Sequence, residues 1–157
     1  MIRKVQVWIH FCDPESQRWV LLLKTRADRG GFWQPVTGGV EENETFEQAA
    51  LREAEEETHL AFVSPLQDLL FEYEFQGRWG QARERVYALE ASFLKNAENA
   101  APLQSSSGLP LAALSVKIDP TEHDEWQWVN PSEALNWLHF DSNRVGLKLL
   151  IESWSRS

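Results

Sequence analysis

A cluster of four glutamates in the stretch LREAEEETHL, residues 51–60, constrains this chain more than any other feature. The surrounding segment, residues 45–60, predicts a helix, because Thr45 and Gln48 fit a capping box at its start. At about 100° per residue, one side of this helix is apolar and should face the core. That side carries Phe46, Ala49, Ala50 and Leu60.

The glutamates do not all lie on the opposite side of this predicted helix. Glu53 and Glu57 fall in the middle of the apolar stripe, Glu56 lies on its edge, and Glu55 alone faces solvent. A run of charges is usually a solvated face. Uncompensated carboxylates beside a core are costly, and their i, i+3, i+4 spacing stacks them together on adjacent turns. The inward glutamates therefore need compensating positive charge.

Two kinds of partner supply such charge. A divalent cation is one, since hard carboxylate oxygens suit Mg²⁺ or Mn²⁺ at roughly 2.1 Å, and Mg²⁺ often completes its shell with substrate phosphates. A structural ion-pair network is the other, in which Glu53 and Glu57 pair with Arg52 or another arginine. The pattern alone leaves both explanations open.

The composition narrows the class of protein. The 157 residues suit one domain spanning residues 1–157. A net charge of −9 disfavours nucleic acid and anionic membranes as partners. The eight tryptophans allow a large apolar contact, including a homodimer interface.

Compartment is suggested by two further features. The lone cysteine, Cys12, allows no intrachain disulfide, which suits a reducing environment. No apolar run approaches the length of about 18 residues that a membrane span needs, and Gln6, His10 and Asp13 interrupt the apolar start of the chain. We therefore expect a cytoplasmic protein.

Alternating and continuous apolar runs predict a mixed sheet. Residues 5–10 and 19–26 suggest a hairpin, and a loop-rich region around one short strand follows over 26–44. Further strands are predicted over 66–75, 83–94 and 123–130, with a loop over 95–110. The remaining helices are predicted over 130–138, with Asn130 as cap and Pro131 first, and over 141–154, with Asp141 as cap. The order predicts an α/β (α+β) sandwich.

The glutamate segment also matches a family pattern. Gly38, Glu44 and the run Arg52-Glu53-Ala54-Glu55-Glu56-Glu57-Thr58-His59-Leu60 resemble the Nudix box, G-x5-E-x7-R-E-U-x-E-E-x-G-U, with U an apolar residue. The spacing matches throughout. The box has glycine where this chain has His59, in a turn where a left-handed backbone is often needed. This departure affects the turn and not the glutamates.

The resemblance implies a fold, a cofactor and residue roles. The fold would be a Nudix-like α/β/α sandwich with a mixed sheet, and the reaction would hydrolyse a nucleoside diphosphate linked to another group. Mg²⁺, or Mn²⁺ in its place, would be the cofactor. Its implied ligands are Glu53, Glu56 and Glu57, one of which would also act as the base.

Three further positions of the box carry supporting roles. The resemblance implies that Arg52 and Glu44 pair and orient the catalytic helix. Gly38 and Gly39 would let the loop pass close to metal and phosphate, since glycine allows close approach. A simple turn remains the alternative for these two glycines.

Flanking segments resemble one subgroup of the family. Residues 32–41 (FWQPVTGGVE), 121–134 (TEHDEWQWVNPSEA) and 141–144 (DSNR) are similar to the bacterial dihydroneopterin triphosphate pyrophosphatases, also described as dATP pyrophosphohydrolases. In that group a glutamate outside the box assists the metals. Glu122 stands at the matching position and is the fourth implied ligand and catalytic residue, unless it is an exposed loop residue.

Substrate contacts are less constrained by the sequence. Arg26 follows a buried strand and suits phosphate oxygens, although it could equally be a surface arginine. Trp33, Phe32 and Trp79 are candidates to stack on a pterin or purine ring. Core or interface packing is the alternative for each.

The resulting expectation is a magnesium-dependent pyrophosphohydrolase. It would convert a nucleoside or pterin triphosphate, dihydroneopterin triphosphate or dATP, to a monophosphate and pyrophosphate. Two alternatives remain: hydrolysis of nucleoside diphosphate sugars or dinucleoside polyphosphates, and a catalytically silent module that binds nucleotides.

Overall fold

A seven-stranded mixed sheet forms the centre of the protein. The structure is a computed structural model, and it describes residues 1–97 and 114–156. The strands are β1 (Ile2–Cys12), β2 (Arg18–Thr25), β3 (Trp33–Gln34), β4 (Val36–Gly39), β5 (Phe62–Gly77), β6 (Gly80–Ala91) and β7 (His123–Val129). The helices are α1 (Phe46–Thr58), α2 (Phe93–Ala97), α3 (Pro131–Trp137) and α4 (Asp141–Ser155), with a 3-10 turn at Ala27–Arg29.

β1 is the central strand and the branch point of the sheet. One side of β1 pairs in parallel with β6, which continues into the β5–β6 hairpin. Its other side pairs antiparallel with β4 at the start of β1 and with β2 at the end. β2 in turn pairs with β3 and β7. The sheet is mixed, as the sequence predicts, because β1 and β6 pair in parallel while the other pairs among the described strands are antiparallel.

Side chains of β1 alternate between two hydrophobic cores because a strand directs successive side chains to opposite faces. Val5 and Ile9 lie in the core beneath α1, whereas Trp8 lies in the core beneath α3 and α4. Helix α1 packs on β1 and β4, and α4 packs on β1, β5 and β6. The architecture is therefore an α/β/α sandwich, which confirms the expected fold class.

Local signals account for most of the element boundaries. The β1–β2 hairpin and helix α1 are confirmed, and Thr45 and Gln48 form the predicted capping box. Asn130 caps α3, with Pro131 at the first helical position, also as predicted. The loop-rich region 26–44 holds two short strands, β3 and β4, and not one.

The predicted boundary between the strand over 83–94 and the loop over 95–110 is wrong. The strand predicted over 83–94 ends at Ala91, and Phe93 begins helix α2. The side chain of Asn96 fixes that turn by donating to the carbonyls of Ala61 and Ser92, a contact invisible in an apolar pattern. Most of the loop predicted over 95–110 lies outside the described residues.

Asp141 is not the cap of α4. Phe140 occupies the cap position and makes no side-chain cap hydrogen bond, and Asp141 is the first helical residue. Its carboxylate accepts from Arg144 at 2.5 Å, one turn further along. An acidic residue in the first turn still complements the helix dipole.

No helix within residues 1–97 and 114–156 combines the length and the apolar character that crossing a membrane requires.

Candidate active site

Helix α1 carries two of its glutamates towards the sheet. Glu57 is 7% exposed, and the side chain of Glu53 is 13% exposed. The side chain of Glu56, at the edge of the buried face, is 59% exposed. Glu55 lies on the solvent side. The helical wheel therefore predicted the direction of each glutamate.

Arg52, in the middle of α1, forms hydrogen bonds with the segment that precedes the helix. Its Nε and Nη2 donate to the two carboxylate oxygens of Glu44 at 2.7 and 2.9 Å. Nη2 also donates to the carbonyl of Gly39 at 2.9 Å. A planar guanidinium suits this forked pairing. The pairing of Arg52 with Glu44 that the resemblance implies is present.

The same guanidinium reaches two of the inward or edge glutamates. Nη1 donates to Glu53 at 2.8 Å and to Glu56 at 3.2 Å. The arginine network that the sequence left open therefore exists for these two carboxylates. Glu57 lies outside it, with no ion pair to an arginine within the described residues. We call Arg52, Glu53, Glu56 and Glu57 the α1 site.

Ion pairing and burial shift the pKa values of Glu44 and Glu53 in opposite directions. The hydrogen bonds from Arg52 hold the pKa of Glu44 at about 2, compared with an ordinary 4.5. The contact with Glu44 in turn raises the pKa of Arg52. Burial raises the pKa of Glu53, and the neighbouring Glu57 and Glu56 add to this rise while Arg52 opposes it. A nearby cation would favour the charged form of Glu53.

Gly38 makes room for the Glu53 carboxyl group. A Cβ at residue 38 would lie 2.1 Å from Cδ of Glu53, whereas a Cβ at Gly39 would meet nothing within 4 Å. The two glycines therefore differ, although the resemblance implies one role for both. Gly38 is required for close packing against α1, and Gly39 presents an open backbone with its carbonyl bound to Arg52.

Glu57 faces a buried histidine from another part of the chain. Its Oε2 lies 3.2 Å from Nδ1 of His123, at the start of β7. The distance is short, yet within the described residues neither atom has a partner in a well-directed hydrogen bond. Because unpartnered buried polar atoms are rare, this carboxylate oxygen is available to another ligand.

His123 is a site residue that the sequence reasoning missed. The family resemblance pointed only to its neighbour, Glu122. The alternation of side chains along a strand could have indicated it. His123 is the first residue of β7 and is 4% exposed, whereas Glu122 precedes the strand. Side chains of successive residues in a strand point to opposite sides.

The structure brings Glu122 and the Arg26 loop together. Glu122 accepts from Nη1 of Arg29 at 3.3 Å, and its side chain is 45% exposed. Arg26 donates to Asp28 at 3.1 Å and is likewise partly exposed. The loop that carries both arginines thus lies beside the residue that precedes His123.

The aromatic candidates lie in three different environments. Trp33 packs against Trp137, with ring centroids 5.1 Å apart, and borders the core beneath α3 and α4. Phe32 stacks on His139 at 4.1 Å. Trp79 is 80% exposed in the β5–β6 turn. These contacts correspond to the packing alternative for Trp33 and Phe32.

His59 occupies the turn position where the family pattern has glycine. Its φ is 57°, a left-handed conformation, and its backbone amide donates to the carbonyl of Glu55. Its ring Nδ1 lies 3.1 Å from the carbonyl of Lys117. Histidine enters this region more readily than most residues. The helix therefore ends as the pattern requires, without glycine.

The side chains of the α1 site fit a hard divalent cation in type, since carboxylate oxygens are the ligands that Mg²⁺ prefers. The unpartnered Oε2 of Glu57 is a donor of this kind. Across the part of the chain that the structure describes, no three acidic, histidine or cysteine side chains converge closely enough to hold a metal ion. Arg52 instead engages Glu53 and Glu56, so metal binding requires those two carboxylates to turn from Arg52.

Known proteins are similar to parts of this chain in sequence. The octanoyltransferase of Myxococcus xanthus is 36% identical over 135 residues, which are 86% of this chain and 32% of that protein. The dihydroneopterin triphosphate diphosphatase of Escherichia coli K12 is 44% identical over 62 residues, 40% of each chain. The chain therefore spans less than two thirds of the length of these curated relatives.

A solved structure and a family model extend the comparison. The solved structure of the E. coli dihydroneopterin triphosphate pyrophosphohydrolase superposes with a TM-score of 0.63 at 27% identity, covering 93% of this chain and 92% of that one. The model of the NUDIX domain matches residues 2–150. Since that match takes in all seven strands and the whole α1 site, this chain belongs to the Nudix family.

Proposed function

We propose that this chain is a magnesium-dependent pyrophosphohydrolase that cleaves the phosphoanhydride of a pterin or nucleoside triphosphate, giving a monophosphate and pyrophosphate. Glu53, Glu56 and Glu57 are the proposed metal ligands, with Glu122 as a fourth. Mn²⁺ would serve in place of Mg²⁺, because both take carboxylate ligands.

The state of Glu57 is the observation that carries this proposal. A buried carboxylate normally has a charged or hydrogen-bonded partner. Glu57 is 7% exposed, and its Oε2 has no hydrogen-bond partner among the described residues. That oxygen lies 3.2 Å from Nδ1 of His123, and a metal ligand requires an oxygen that no well-directed hydrogen bond occupies.

Different residues of the chain have different roles in the proposed reaction. A bound Mg²⁺ supplies charge neutralisation for the phosphates and activation of water. Glu44 orients Arg52, and Arg52 holds Glu53 and Glu56 beside each other until the two carboxylates turn towards a metal ion. Water attacks one phosphorus, its proton passes to a carboxylate of the site, and the anhydride P–O bond breaks to release pyrophosphate.

The choice of triphosphate rests on the relatives and on sequence flanking the box. The E. coli proteins named for dihydroneopterin triphosphate resemble this chain over 62 residues in sequence and over 93% of the chain in structure. Segments 32–41 and 121–134 resemble the same group. Arg26 and Arg29, in the loop beside Glu122, are the proposed phosphate contacts outside α1.

Product analysis tests this function. Purified protein is incubated with Mg²⁺ and, separately, dihydroneopterin triphosphate, each dNTP, ADP-ribose and diadenosine tetraphosphate, and products are resolved by ³¹P NMR. We expect pyrophosphate and a monophosphate from a triphosphate, with none in EDTA. Monophosphates from the sugar or dinucleotide alone would overturn the triphosphate assignment. No product from any compound would support a silent binding module.

A further inference from the structure

The buried contact between Glu57 and His123 differs from the arginine contacts beside it. Arg52 donates to Glu44 and Glu53 in well-directed hydrogen bonds at 2.7 and 2.8 Å. Oε2 of Glu57 and Nδ1 of His123 are 3.2 Å apart, yet neither atom has a hydrogen-bond partner within residues 1–97 and 114–156. Two buried polar atoms that face each other in this way need a positive group beside them.

The spacing of these two atoms suits two neighbouring ligands of one metal ion. Neighbouring ligands of an octahedral ion stand at right angles, so donor atoms about 2.1 Å from the ion lie about 3.0 Å from each other. The separation of Glu57 Oε2 from His123 Nδ1, 3.2 Å, is close to this value. One ion can therefore contact both atoms with little movement of either side chain.

Both side chains stand on elements that hold their positions. Glu57 lies in the last turn of α1, which packs on β1 and β4. The backbone amide of His123 donates to the carbonyl of Asp119 at 3.0 Å, and His123 pairs with Thr25 of β2. Ligands on rigid elements need little ordering when a metal ion binds.

A β-bulge lies beside His123 in the β2–β7 pairing. Lys24 and Thr25 are consecutive, but their partners, Glu125 and His123, are two residues apart. Asp124 is therefore the extra residue of the bulge. Bulges re-aim the side chains next to them and are common beside active sites. This irregularity thus occurs where β7 directs a nitrogen donor into the α1 site.

A nitrogen donor changes which metal ion the site prefers. Mg²⁺ takes oxygen ligands, whereas first-row transition ions accept imidazole nitrogen as well. Glu53, Glu56 and Glu57 offer oxygen alone, so His123 adds a donor of another type. A neutral imidazole that ligates through Nδ1 keeps its proton on Nε2.

We propose that His123 is a metal ligand through Nδ1, beside Oε2 of Glu57, and that this mixed nitrogen–oxygen pair makes the α1 site bind Mn²⁺ in preference to Mg²⁺. The ion would join helix α1 to strand β7 through the two side chains. This inference rests on the proposed function, because it adds a ligand and a preferred ion to the metal site of that function.

Pulsed electron paramagnetic resonance tests the ligand directly, because a nitrogen bound to Mn²⁺ modulates the electron spin echo. One equivalent of Mn²⁺ is added to the full chain without an affinity tag, and we expect a nitrogen coupling. His123→Asn should bind Mn²⁺ without that coupling, since its amide can offer oxygen in place of Nδ1. Bound Mn²⁺ with no nitrogen coupling in wild type, or a coupling that persists in His123→Asn, would overturn the inference.

A matched variant separates His123 from another histidine near the end of α1. His59→Asn removes that imidazole and keeps a residue that tolerates the left-handed turn, so it should retain the nitrogen coupling. Calorimetry then gives the affinities of each protein for Mn²⁺ and Mg²⁺. The preference for Mn²⁺ over Mg²⁺ should fall at least tenfold in His123→Asn and stay unchanged in His59→Asn, and an equal preference in both would contradict the proposal. If His123→Asn does not fold by circular dichroism, His123→Gln takes its place with the same expectations.

These results distinguish failure of the inference from failure of the function. Mn²⁺ binding without nitrogen coupling, together with release of pyrophosphate from a triphosphate, would overturn the role of His123 and leave the hydrolase standing. A nitrogen coupling that disappears in His123→Asn, with no hydrolysis of any triphosphate, would support the ligand and overturn the hydrolase. No binding of Mn²⁺ by wild type would overturn both.

Discussion

The carboxyl group of Glu53 lies directly over Gly38, so that a Cβ at residue 38 would be 2.1 Å from its Cδ. Strand β4 and helix α1 are thereby in contact at the point where the α1 site begins. The contact places a strand glycine and a helix glutamate, 15 positions apart in the chain, in the same part of the site.

Gly38→Ala should therefore displace Glu53 or the strand. Overpacking of this kind costs about 1–3 kcal/mol, and the displacement should also lower turnover by moving a metal ligand. Gly39→Ala is the matched control, since its Cβ would meet nothing within 4 Å. Thermal unfolding of the two variants would contradict this account if Gly39→Ala lost as much stability as Gly38→Ala.

Glu56→Gln should remove most activity and leave the fold intact. The side chain is 59% exposed, so its replacement disturbs little packing, while loss of a metal ligand lowers kcat by orders of magnitude. Glu55→Gln, one residue earlier on the solvent side, should retain activity. Steady-state kinetics with Mg²⁺ would reject the assignment if Glu56→Gln turned over at the wild-type rate.

The Glu44–Arg52 pair should make stability depend on pH in acid. Arg52 holds the pKa of Glu44 at about 2, against 4.5 ordinarily. As pH falls, Glu44 therefore takes up a proton in the unfolded chain before it does so in the folded chain. The stabilisation of the folded state by this pair is present above about pH 4.5 and is lost as pH falls towards 2. The difference in melting temperature between wild type and Glu44→Gln should narrow over that range. Glu42→Gln, an exposed neighbour, should show no such pH-dependent difference.

His10 should make the free energy of unfolding depend on pH in a second, less acidic range. Burial, together with nearby Arg18, lowers its pKa from 6.5 to about 4. The unfolded chain binds a proton at about pH 6.5 and the folded chain only near 4, so stability falls as pH drops between these values. The loss is about 3 kcal/mol at most.

Chemical denaturation at pH 7 and pH 5 measures this effect of His10. His10→Gln should remove much of the difference in unfolding free energy between the two pH values. An identical pH dependence in wild type and variant would show that His10 does not titrate in this range.

Helix α1 was predictable because its signals are local. A capping box, an apolar stripe and the spacing of Glu53, Glu56 and Glu57 all lie within one 16-residue segment. Each signal needs only the geometry of a helix. The direction of every glutamate followed, and the family pattern added Gly38 and Glu44.

The contact between Gln6 and Glu84 was not predictable from local patterns. Gln6 and Glu84 lie 78 positions apart, and the parallel β1–β6 pairing brings them together. The one local sign was Gln6, a polar residue within an apolar strand. Similarly, Phe93 and Leu94 suit a strand or a helix equally well by polarity, and the Asn96 contacts decide the outcome.

Metal binding by the α1 site is the central claim, and calorimetric titration of Mn²⁺ into wild type, Glu57→Gln and Glu55→Gln tests it most directly. Glu57 offers a buried, unpartnered oxygen, whereas Glu55 faces solvent on the same helix. The account predicts that Glu55→Gln binds Mn²⁺ as wild type does and that Glu57→Gln binds at least tenfold more weakly. Equal affinities in the two variants would contradict it.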